Sequence, residues 1–224
     1  FTVVAADLRG YGDSDKPPSK ADHSPYSKRT MANDMVRLMK ILGFDSFFVA
    51  GHDRGGRVAH RMARDHPATV DRLAVLDIAP TSAMYAATNM DFATAYYHWF
   101  FLIQPAPLPE RMIGADPAFY MSSKCGAWGR TAGAITADAH AEYLRCFAHP
   151  DAIHASCEDY RAAATIDLEH DQAENAALLD MPLLALWGRE SYVGTRYDVI
   201  SEWQQVAKNV TGQAVSGGHY LAEE

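Results

Sequence analysis

The residues best placed for chemistry lie in the segment 51–57, which reads Gly-His-Asp-Arg-Gly-Gly-Arg. It follows an apolar run at 47–50 and precedes a helical pattern, so it has the form of a nucleophile elbow, a sharp turn between a strand and a helix. Glycines on both sides let the backbone turn and present Asp53 above the sheet edge, where serine usually sits. A carboxylate that attacks saturated carbon leaves an ester that water can cleave. The elbow therefore predicts displacement at saturated carbon.

Two further titratable residues, Asp77 and His219, come at the ends of predicted strands. In open parallel sheets, that edge binds ligands. Their order after Asp53, nucleophile then acid then histidine, is typical of a hydrolase triad, in which His219 is the general base and Asp77 orients its imidazole. Each residue alone has an ordinary structural explanation, but the joint pattern favours catalysis. Glu190, after another predicted strand, is the second candidate for the orienting acid.

Two arginines, Arg54 and Arg57, lie three residues apart at the start of the predicted helix and share one face of it. Cations are disfavoured at a helix amino terminus, so an anion should compensate them. One explanation is that they pair with Asp53, Asp13 or Asp15 and only hold loops together. A substrate carboxylate is the favoured partner beside a carboxylate nucleophile, because guanidinium groups bind carboxylates bidentately.

The elements that must position these residues alternate along the chain. Strands are predicted at 1–8, 47–50, 72–78, 182–187 and 213–215, and helices at 27–42, 57–65 and 197–208. Strands separated by helices imply parallel pairing with right-handed crossovers, which is an α/β sheet. The region after Pro80 is rich in alanine and aromatic residues and has no evident strand. The sequence therefore predicts a discontinuous α/β core from 1–80 and 180–224, with a helical cap from 81–179 that roofs a cavity.

Composition excludes several classes of function. A chain of 224 residues with 48% hydrophobic content can bury the core of a single domain. A formal net charge of −8 argues against a nucleic-acid partner. No apolar run approaches the ~20 residues that span a bilayer, so no membrane partner is expected. Three cysteines without a CxxC pair indicate a reducing compartment, and we expect a cytoplasmic location.

These motifs resemble the haloacetate dehalogenases, including the fluoroacetate-cleaving type, of the α/β-hydrolase fold, and the resemblance spans essentially the whole chain. The loop 7–14, Asp-Leu-Arg-Gly-Tyr-Gly-Asp-Ser, is moderately specific. The elbow with Arg54 after Asp53 is more specific, because relatives acting on haloalkanes or epoxides typically carry tryptophan there. Further matches lie at 76–80, 98–99, 159–161 and 218–220.

The resemblance implies a reaction in two steps. Asp53 would attack the carbon that bears the halogen, while Arg54 and Arg57 hold the acetate carboxylate. Water deprotonated by His219 would then hydrolyse the glycolyl ester. Glycolate and halide leave, and no metal or organic cofactor is needed.

The resemblance also implies a halide site and an assembly. His98, Trp99 and Tyr160 would donate hydrogen bonds to the departing halide, although packing is the usual role of such side chains. Because fluoride leaves saturated carbon poorly, such donors matter: removing one typically costs ~3–4 kcal/mol at comparable oxyanion sites. A homodimer is also implied.

The same resemblance leads us to expect a fragment of a longer gene product, with the N- and C-terminal ends missing. The family's first strands, with a histidine-glycine loop that forms part of the oxyanion hole, should precede Phe1. A final helix should follow Glu224. We expect the fragment alone to fold poorly, because apolar sheet surface would be uncovered.

Three alternatives compete with this interpretation. An epoxide hydrolase or haloalkane dehalogenase also uses an aspartate nucleophile, but a neutral substrate has no use for Arg54. A non-catalytic binding protein on the same scaffold is possible when a triad member is lost, whereas all three positions are filled here. A zinc site could be formed by Cys146, His149, His154 and Cys157, but the spacing matches no common zinc motif.

Overall fold

A four-stranded parallel sheet forms the centre of the molecule. A computed structural model describes residues 1–173 and 177–224. The strands are β1 (Phe47–His52), β2 (Val70–Leu76), β3 (Leu183–Gly188) and β4 (Val210–Val215), in the order β1-β2-β3-β4. Each neighbouring pair is parallel. The predicted parallel α/β sheet is confirmed.

Helices connect these strands, as parallel pairing requires. The helices flanking the sheet strands are α1 (Lys28–Ile41), α2 (Asp53–Asp65), α11 (Tyr192–Arg196) and α12 (Val199–Gln204), and a 3-10 turn at Ser24–Tyr26 precedes α1. Ser27 caps α1, because its side chain accepts a hydrogen bond from the backbone N–H of Thr30. Helix α2 begins at the residue directly after β1, so the elbow is a turn without a loop.

The described residues between β2 and β3 form eight helices joined by loops. These helices are α3 (Thr81–Ala86), α4 (Met90–Ala95), α5 (Tyr97–Leu102), α6 (Leu108–Ala115), α7 (Pro117–Trp128), α8 (Ala137–Phe147), α9 (Pro150–Ala164) and α10 (Ile166–Ala173). Helix α9, of 15 residues, has the most buried side chains among them. No helix in the described ranges is long and apolar enough to cross a lipid bilayer. As predicted, the described residues of 81–179 contain no strand, while the division of this region as a separate cap stays a prediction.

The apolar core lies between the sheet and its helices. Alternate positions of the central strands, including Leu73 and Val75 of β2, are almost fully buried. Val58 and Met62 of α2 pack on them in the same cluster. Trp203 of α12 is fully buried, and its indole N–H donates a 3.0 Å hydrogen bond to the carbonyl oxygen of Ile78, two residues after β2. The core therefore fixes the positions of the strand ends that carry the candidate site.

The strand predicted at 1–8 was wrong. This segment is mostly exposed and has no strand assignment. A cleft of about 850 Å³ lies between it and β1. A strand needs backbone hydrogen bonds to a neighbouring strand, and none of the described strands pairs with this segment. Its apolar residues alone do not make it a strand.

Two helix boundaries also differ from the predictions. The helix predicted at 197–208 ends at Gln204, because the following backbone pairs with Leu179: the N–H of Leu179 donates to Val206, and the N–H of Lys208 donates to Leu179. Helix α2 begins at Asp53, whereas the helix was predicted to begin at Arg57. The candidate nucleophile is thus the first helical residue.

Candidate active site

Asp53 lies in a strained turn at the carboxyl end of β1. Its backbone φ is +44°, which is uncommon for a residue other than glycine. Strand and helix approach so closely here that a Cβ on Gly51 would lie 2.4 Å from the Gly55 carbonyl oxygen, and one on Gly56 would lie 2.8 Å from the Gly51 oxygen. The turn leaves 32% of the Asp53 side chain exposed. The glycines therefore permit the geometry that presents this carboxylate.

His219 lies between two carboxylates. Its Nδ1 is 2.7 Å from Oδ2 of Asp77, and its Nε2 is 3.7 Å from Oδ2 of Asp53. The structure thus brings together the three residues predicted as a triad. Glu190, the other candidate for the orienting acid, is exposed, and its backbone N–H donates to a loop carbonyl. Asp77, rather than Glu190, contacts the imidazole.

The orientation of Asp77 is fixed on its other side. Its Oδ1 accepts hydrogen bonds from the backbone N–H of Gly188, at 3.0 Å, and from the hydroxyl of Ser191, at 2.6 Å. Ser191 also caps α11. Asp77 itself has a positive φ of 51°. With both oxygens engaged, the carboxylate can hold the imidazole of His219 in one orientation.

The backbone of His219 is held by residues that the sequence did not reveal as functional. Its N–H donates to the carbonyl oxygen of Trp128, the last residue of α7, at 3.0 Å. Its carbonyl oxygen accepts from the ring of His52 at 2.6 Å. The Trp128 ring also meets the His219 ring edge-on, with centroids 5.6 Å apart. Helix α7 therefore helps to place the candidate base.

The charges of this site are coupled. Burial disfavours the imidazolium of His219, but the interactions with Asp53 and Asp77 outweigh burial and raise the pKa of His219 to about 9. Burial likewise opposes ionisation of Asp53. His219 and the positive charge of Arg57 outweigh it and hold the pKa of Asp53 well below its usual range. At neutral pH the resting site therefore contains an ionised Asp53 beside a protonated His219.

Arg54 is paired with a protein carboxylate, but not with any of the three aspartates considered from the sequence. Its Nε donates to Oδ2 of Asp159 at 2.7 Å, and its Nη2 donates to the backbone oxygen of the same residue at 3.0 Å. The guanidinium carbon lies 4.1 Å from the centroid of the Tyr160 ring. In the described part of the chain, its buried Nη1 has no hydrogen-bond partner. Asp159 therefore holds the Nε and Nη2 atoms of Arg54, and the Nη1 atom stays available to donate to a ligand.

Arg57 is a buried cation without an ion pair among the described residues. Its Nη1 donates to the hydroxyl of Thr81 at 2.9 Å and to the carbonyl oxygen of Ala79 at 3.3 Å. Its guanidinium carbon lies 4.8 Å from the centroid of the Trp99 ring, and its Nε has no partner in the described ranges. Burial lowers the pKa of Arg57. A bound anion would compensate this charge.

Asp159 connects Arg54 to a buried cluster of charges. The carboxylate is fully buried and accepts hydrogen bonds from Arg54 Nε, from the Tyr11 hydroxyl at 2.5 Å and from the Lys28 ammonium. Lys28 also forms an ion pair with Asp167 at 3.3 Å. The cluster contains two cations, Arg54 and Lys28, and two carboxylates, Asp159 and Asp167. The attraction between these opposite charges compensates the cost of burying them. It ties α9 to the loop before α1 and to the elbow.

Replacement of Asp159 by asparagine is expected to raise KM for an anionic substrate roughly tenfold, with a smaller change in kcat. Three donors converge on this carboxylate, and the amide would replace one acceptor oxygen by a further donor, so Arg54 would lose its fixed position. Steady-state kinetics measure both constants. Tyr11→Phe, which removes a single donor, is expected to change KM in the same direction but less.

Asp167→Asn is the matched control, because Asp167 contacts Lys28 but not Arg54. Both asparagine variants disturb the buried cluster and are expected to lower the free energy of unfolding by roughly 3–5 kcal/mol. Only D159N should raise KM. An equal rise in KM for D167N would mean that Asp159 stabilises the fold without positioning Arg54.

The three residues predicted to bind halide lie together and are buried. The rings of His98 and Tyr160 have centroids 5.5 Å apart, and those of Trp99 and Tyr160 are 6.3 Å apart. The His98 Nδ1 is buried and has no hydrogen-bond partner in the described part of the chain. Burial, together with the charge of Lys124, holds the pKa of His98 well below its usual range. His98 is therefore a neutral imidazole with one N–H to donate.

A cavity of about 600 Å³ lies between the elbow and the helices that follow β2. The lining residues that matter for chemistry are Asp53, Arg54, His98, Lys124, Trp128 and Tyr160. Three further residues interact with this lining: the Trp99 ring contacts Tyr160, the His219 ring contacts Trp128, and the charge of Arg57 acts on Asp53. The structure thus brings all eight predicted site residues to one region: four of them line the cavity, namely Asp53, Arg54, His98 and Tyr160, and the other four, Asp77, Arg57, Trp99 and His219, lie next to these.

The zinc hypothesis gains no support. Within residues 1–173 and 177–224, no group of three or more histidine, cysteine or acidic side chains could hold a metal ion. His154 instead contacts Glu110, with 3.0 Å between Nδ1 and the carboxylate. Cys125, Cys146 and Cys157 are free thiols, and the last is buried.

The chain belongs to the α/β-hydrolase fold family, whose family model matches residues 1–224. It is 44% identical over 224 residues to a fluoroacetate dehalogenase from Burkholderia sp, covering 100% of this chain and 74% of that protein. This confirms the resemblance to the haloacetate dehalogenases.

Other relatives carry different names. A soluble epoxide hydrolase from Corynebacterium sp. (strain C12) is 34% identical over 229 residues, which cover 100% of this chain and 76% of that protein. The solved structure of a proposed acyltransferase from Salmonella enterica has a TM-score of 0.97 and 54% identity, covering 97% of this chain and 72% of that one. The chain is a hydrolase of the α/β fold.

Proposed function

We propose that this protein is a haloacetate dehalogenase, which converts a haloacetate to glycolate and halide through an ester on Asp53. The observation that carries the proposal is the pair of buried guanidinium groups beside Asp53. Arg54 and Arg57 each keep one N–H nitrogen without a partner in the described chain. A substrate carboxylate supplies the acceptor and the negative charge that these groups need.

In the first step, a carboxylate oxygen of Asp53 attacks the carbon that bears the halogen. The new C–O bond forms as the carbon–halogen bond breaks, and the electron pair leaves with the halide. Burial of the three neutral donors, His98, Trp99 and Tyr160, favours this step, because hydrogen bonds to a developing anion are stronger where water is excluded. Arg54 and Arg57 hold the carboxylate of the substrate, so the carbon is presented to Asp53.

In the second step, water attacks the carbonyl carbon of the ester and His219 accepts its proton. Alkylation prepares this step, because the ester on Asp53 carries no negative charge. One of the two charges that raise the pKa of His219 is then gone, so that pKa falls and His219 can release its proton. The neutral imidazole, oriented by Asp77, can act as the base. Glycolate leaves, and the carboxylate of Asp53 is restored.

Other chemistries fit the site less well. Epoxides and haloalkanes carry no anion for Arg54 and Arg57, although relatives of this chain are named epoxide hydrolases. Acyl transfer through Asp53 would form an anhydride, which is far more reactive than an alkyl ester. A non-catalytic binding protein would have no need for Asp53 and Asp77 on both sides of His219.

The substrate assignment is tested by measuring halide release from fluoro-, chloro- and bromoacetate beside a chloroalkane, together with the opening of a simple epoxide. We expect turnover of haloacetates only.

Arg57→Met should raise KM for a haloacetate by roughly 30-fold or more, because the variant lacks the buried positive charge that would pair with the substrate carboxylate. Arg37→Met, on the exposed face of α1, is the matched control. Turnover of the chloroalkane or epoxide without turnover of any haloacetate would contradict the proposal.

Several broader expectations accompany this proposal. We propose that residues 1–80 and 180–224 act as the core and 81–179 as the cap over the substrate. The three free thiols are compatible with a reducing compartment such as the cytoplasm. A homodimer stays a prediction that rests on the family resemblance.

A further inference from the structure

Lys124 of α7 holds its ammonium among aromatic rings. The Nζ atom lies 3.9 Å from the ring centroid of Tyr97, 5.1 Å from that of Trp128 and 5.3 Å from that of Tyr120. No carboxylate of the described chain forms an ion pair with it. The side chain lines the same cavity as Asp53. Lys124 is therefore a cation at the candidate active site that none of the proposed steps uses.

The aromatic rings around Lys124 stabilise the charge of its ammonium group but do not occupy its N–H donors. Ring faces attract a cation without accepting its N–H groups as a carboxylate would. Burial lowers the pKa of Lys124 to about 8, so the side chain is still mostly charged at neutral pH. An ammonium in this state can stabilise an anion in the cavity.

Lys124 also lies next to the proposed halide donors. Its ammonium and the His98 ring both contact Trp128, and the His98 and Trp128 rings have centroids 4.8 Å apart. The charge of Lys124 is one of the causes that lower the pKa of His98. The halide donors themselves, His98, Trp99 and Tyr160, are neutral. Lys124 thus adds a full positive charge to a site of neutral donors.

We propose that Lys124 is a specificity-determining residue whose ammonium stabilises the departing halide and favours fluoride as the leaving group. The proposal rests on the proposed dehalogenase function. As the C–O bond to Asp53 forms, the electron pair of the carbon–halogen bond goes to the halide. The Coulomb attraction between two charges grows as their separation falls, so the small fluoride ion gains more from a nearby cation than bromide does.

The test compares fluoroacetate with bromoacetate in the Lys124→Met variant, whose apolar side chain can still pack between the rings. We expect kcat on fluoroacetate to fall roughly tenfold or more, and kcat on bromoacetate to fall less than about threefold. Lys124→Arg keeps the charge and should retain most of the preference. Lys40→Met, on the exposed face of α1, controls for the change in net charge.

Bromide binding gives a readout that does not depend on turnover. Titration of the protein with bromide, followed by quenching of tryptophan fluorescence, should show roughly tenfold weaker binding in K124M. In the unsubstituted protein, bromide affinity should fall as the pH rises through about 8, because Lys124 loses its charge there. K124M should lack this step.

Other titratable groups around Lys124 can be separated from it. On α7 itself, burial raises the pKa of Tyr120 and of Cys125. Burial also raises the pKa of Tyr220, whose hydroxyl donates a hydrogen bond to the backbone carbonyl of Lys124. Burial lowers the pKa of His98 on α5, and Tyr97 contributes the nearest ring.

The K124M variant keeps the other charged groups near the cavity, which are Glu142 and Glu223 in its lining and His219 beside it. The difference between the two titrations therefore isolates Lys124. Unchanged fluoride-to-bromide preference and unchanged bromide affinity in K124M would overturn this inference. If the unsubstituted protein released no halide from any haloacetate, the proposed function would fail, while the bromide titration would still test Lys124.

Discussion

Replacing Asp53 by asparagine is expected to abolish halide release, with a loss of at least ~10⁴-fold in kcat. The amide has no negative charge with which to displace a halide from saturated carbon. Asparagine matches aspartate in volume and tolerates a positive φ better than most residues, so the elbow should keep its shape. A halide-selective electrode measures the rate, and thermal unfolding checks the fold.

Asp45→Asn is the matched control for this substitution, because Asp45 is exposed and remote from the elbow. It should leave halide release unchanged. The D53N variant should also show a lower pKa for His219 in an NMR titration, because one of its two carboxylate neighbours becomes neutral. Undiminished halide release by D53N would rule out Asp53 as the nucleophile.

His219→Gln is expected to separate the two steps of the reaction. The first step needs no base, so each chain should release a single halide in a burst. The ester should then persist, because loss of a general base slows hydrolysis by roughly 10²–10⁴-fold. Rapid-quench measurement of halide against protein concentration gives the stoichiometry.

The control for this variant is His140→Gln, on α8, where the histidine ring is hydrogen-bonded to the Ser122 hydroxyl and does not line the cavity. It should turn over normally. In the unsubstituted protein, hydrolysis of the ester should accelerate as the pH rises through the pKa of His219 in the ester form. That pKa should lie below the value of about 9 in the resting site, since Asp53 is then neutral. Sustained turnover by H219Q would show that another group acts as the base.

The two arginines have different electrostatic roles in this account. Arg54 is neutralised by Asp159, which fixes its orientation, so in the proposed reaction we expect Arg54 to act chiefly by positioning the substrate. Arg57 has no such partner in the described chain, and its charge acts on Asp53 directly. The net positive charge available to a substrate carboxylate therefore comes mainly from Arg57. This difference was not visible in the spacing of the two residues.

The proximity of the three candidate triad residues could be predicted from the sequence, because it follows from the topology of the sheet. Parallel strands bring their carboxyl ends to one edge of the sheet, so residues far apart in the chain, such as Asp53, Asp77 and His219, come together there. The elbow glycines fix the remaining turn. Secondary structure was predicted where the hydrophobic period was clear, as in α1, and was wrong at 1–8, where strand formation depends on a neighbour.

The partners of the site residues could not be predicted, because they depend on packing between distant helices. Asp159 lies 105 residues after Arg54, and no local pattern indicates their contact. Trp128 and Lys124 are in a helix whose sequence does not show a clear apolar face. Their roles depend on how α7 lies against the elbow and α5. Such contacts follow from side-chain shape and burial rather than from spacing.

The proposed reaction depends on a covalent ester between Asp53 and the substrate, and mass analysis of H219Q after incubation with fluoroacetate can detect this ester. Fluoroacetate is preferred because thiols such as Cys125 do not displace fluoride readily. We predict that digestion yields the peptide containing Asp53 with one added carboxymethyl group, in proportion to the fluoride released. Fluoride release with an unmodified Asp53, or with the carboxymethyl group on another residue, would show that Asp53 is not the nucleophile.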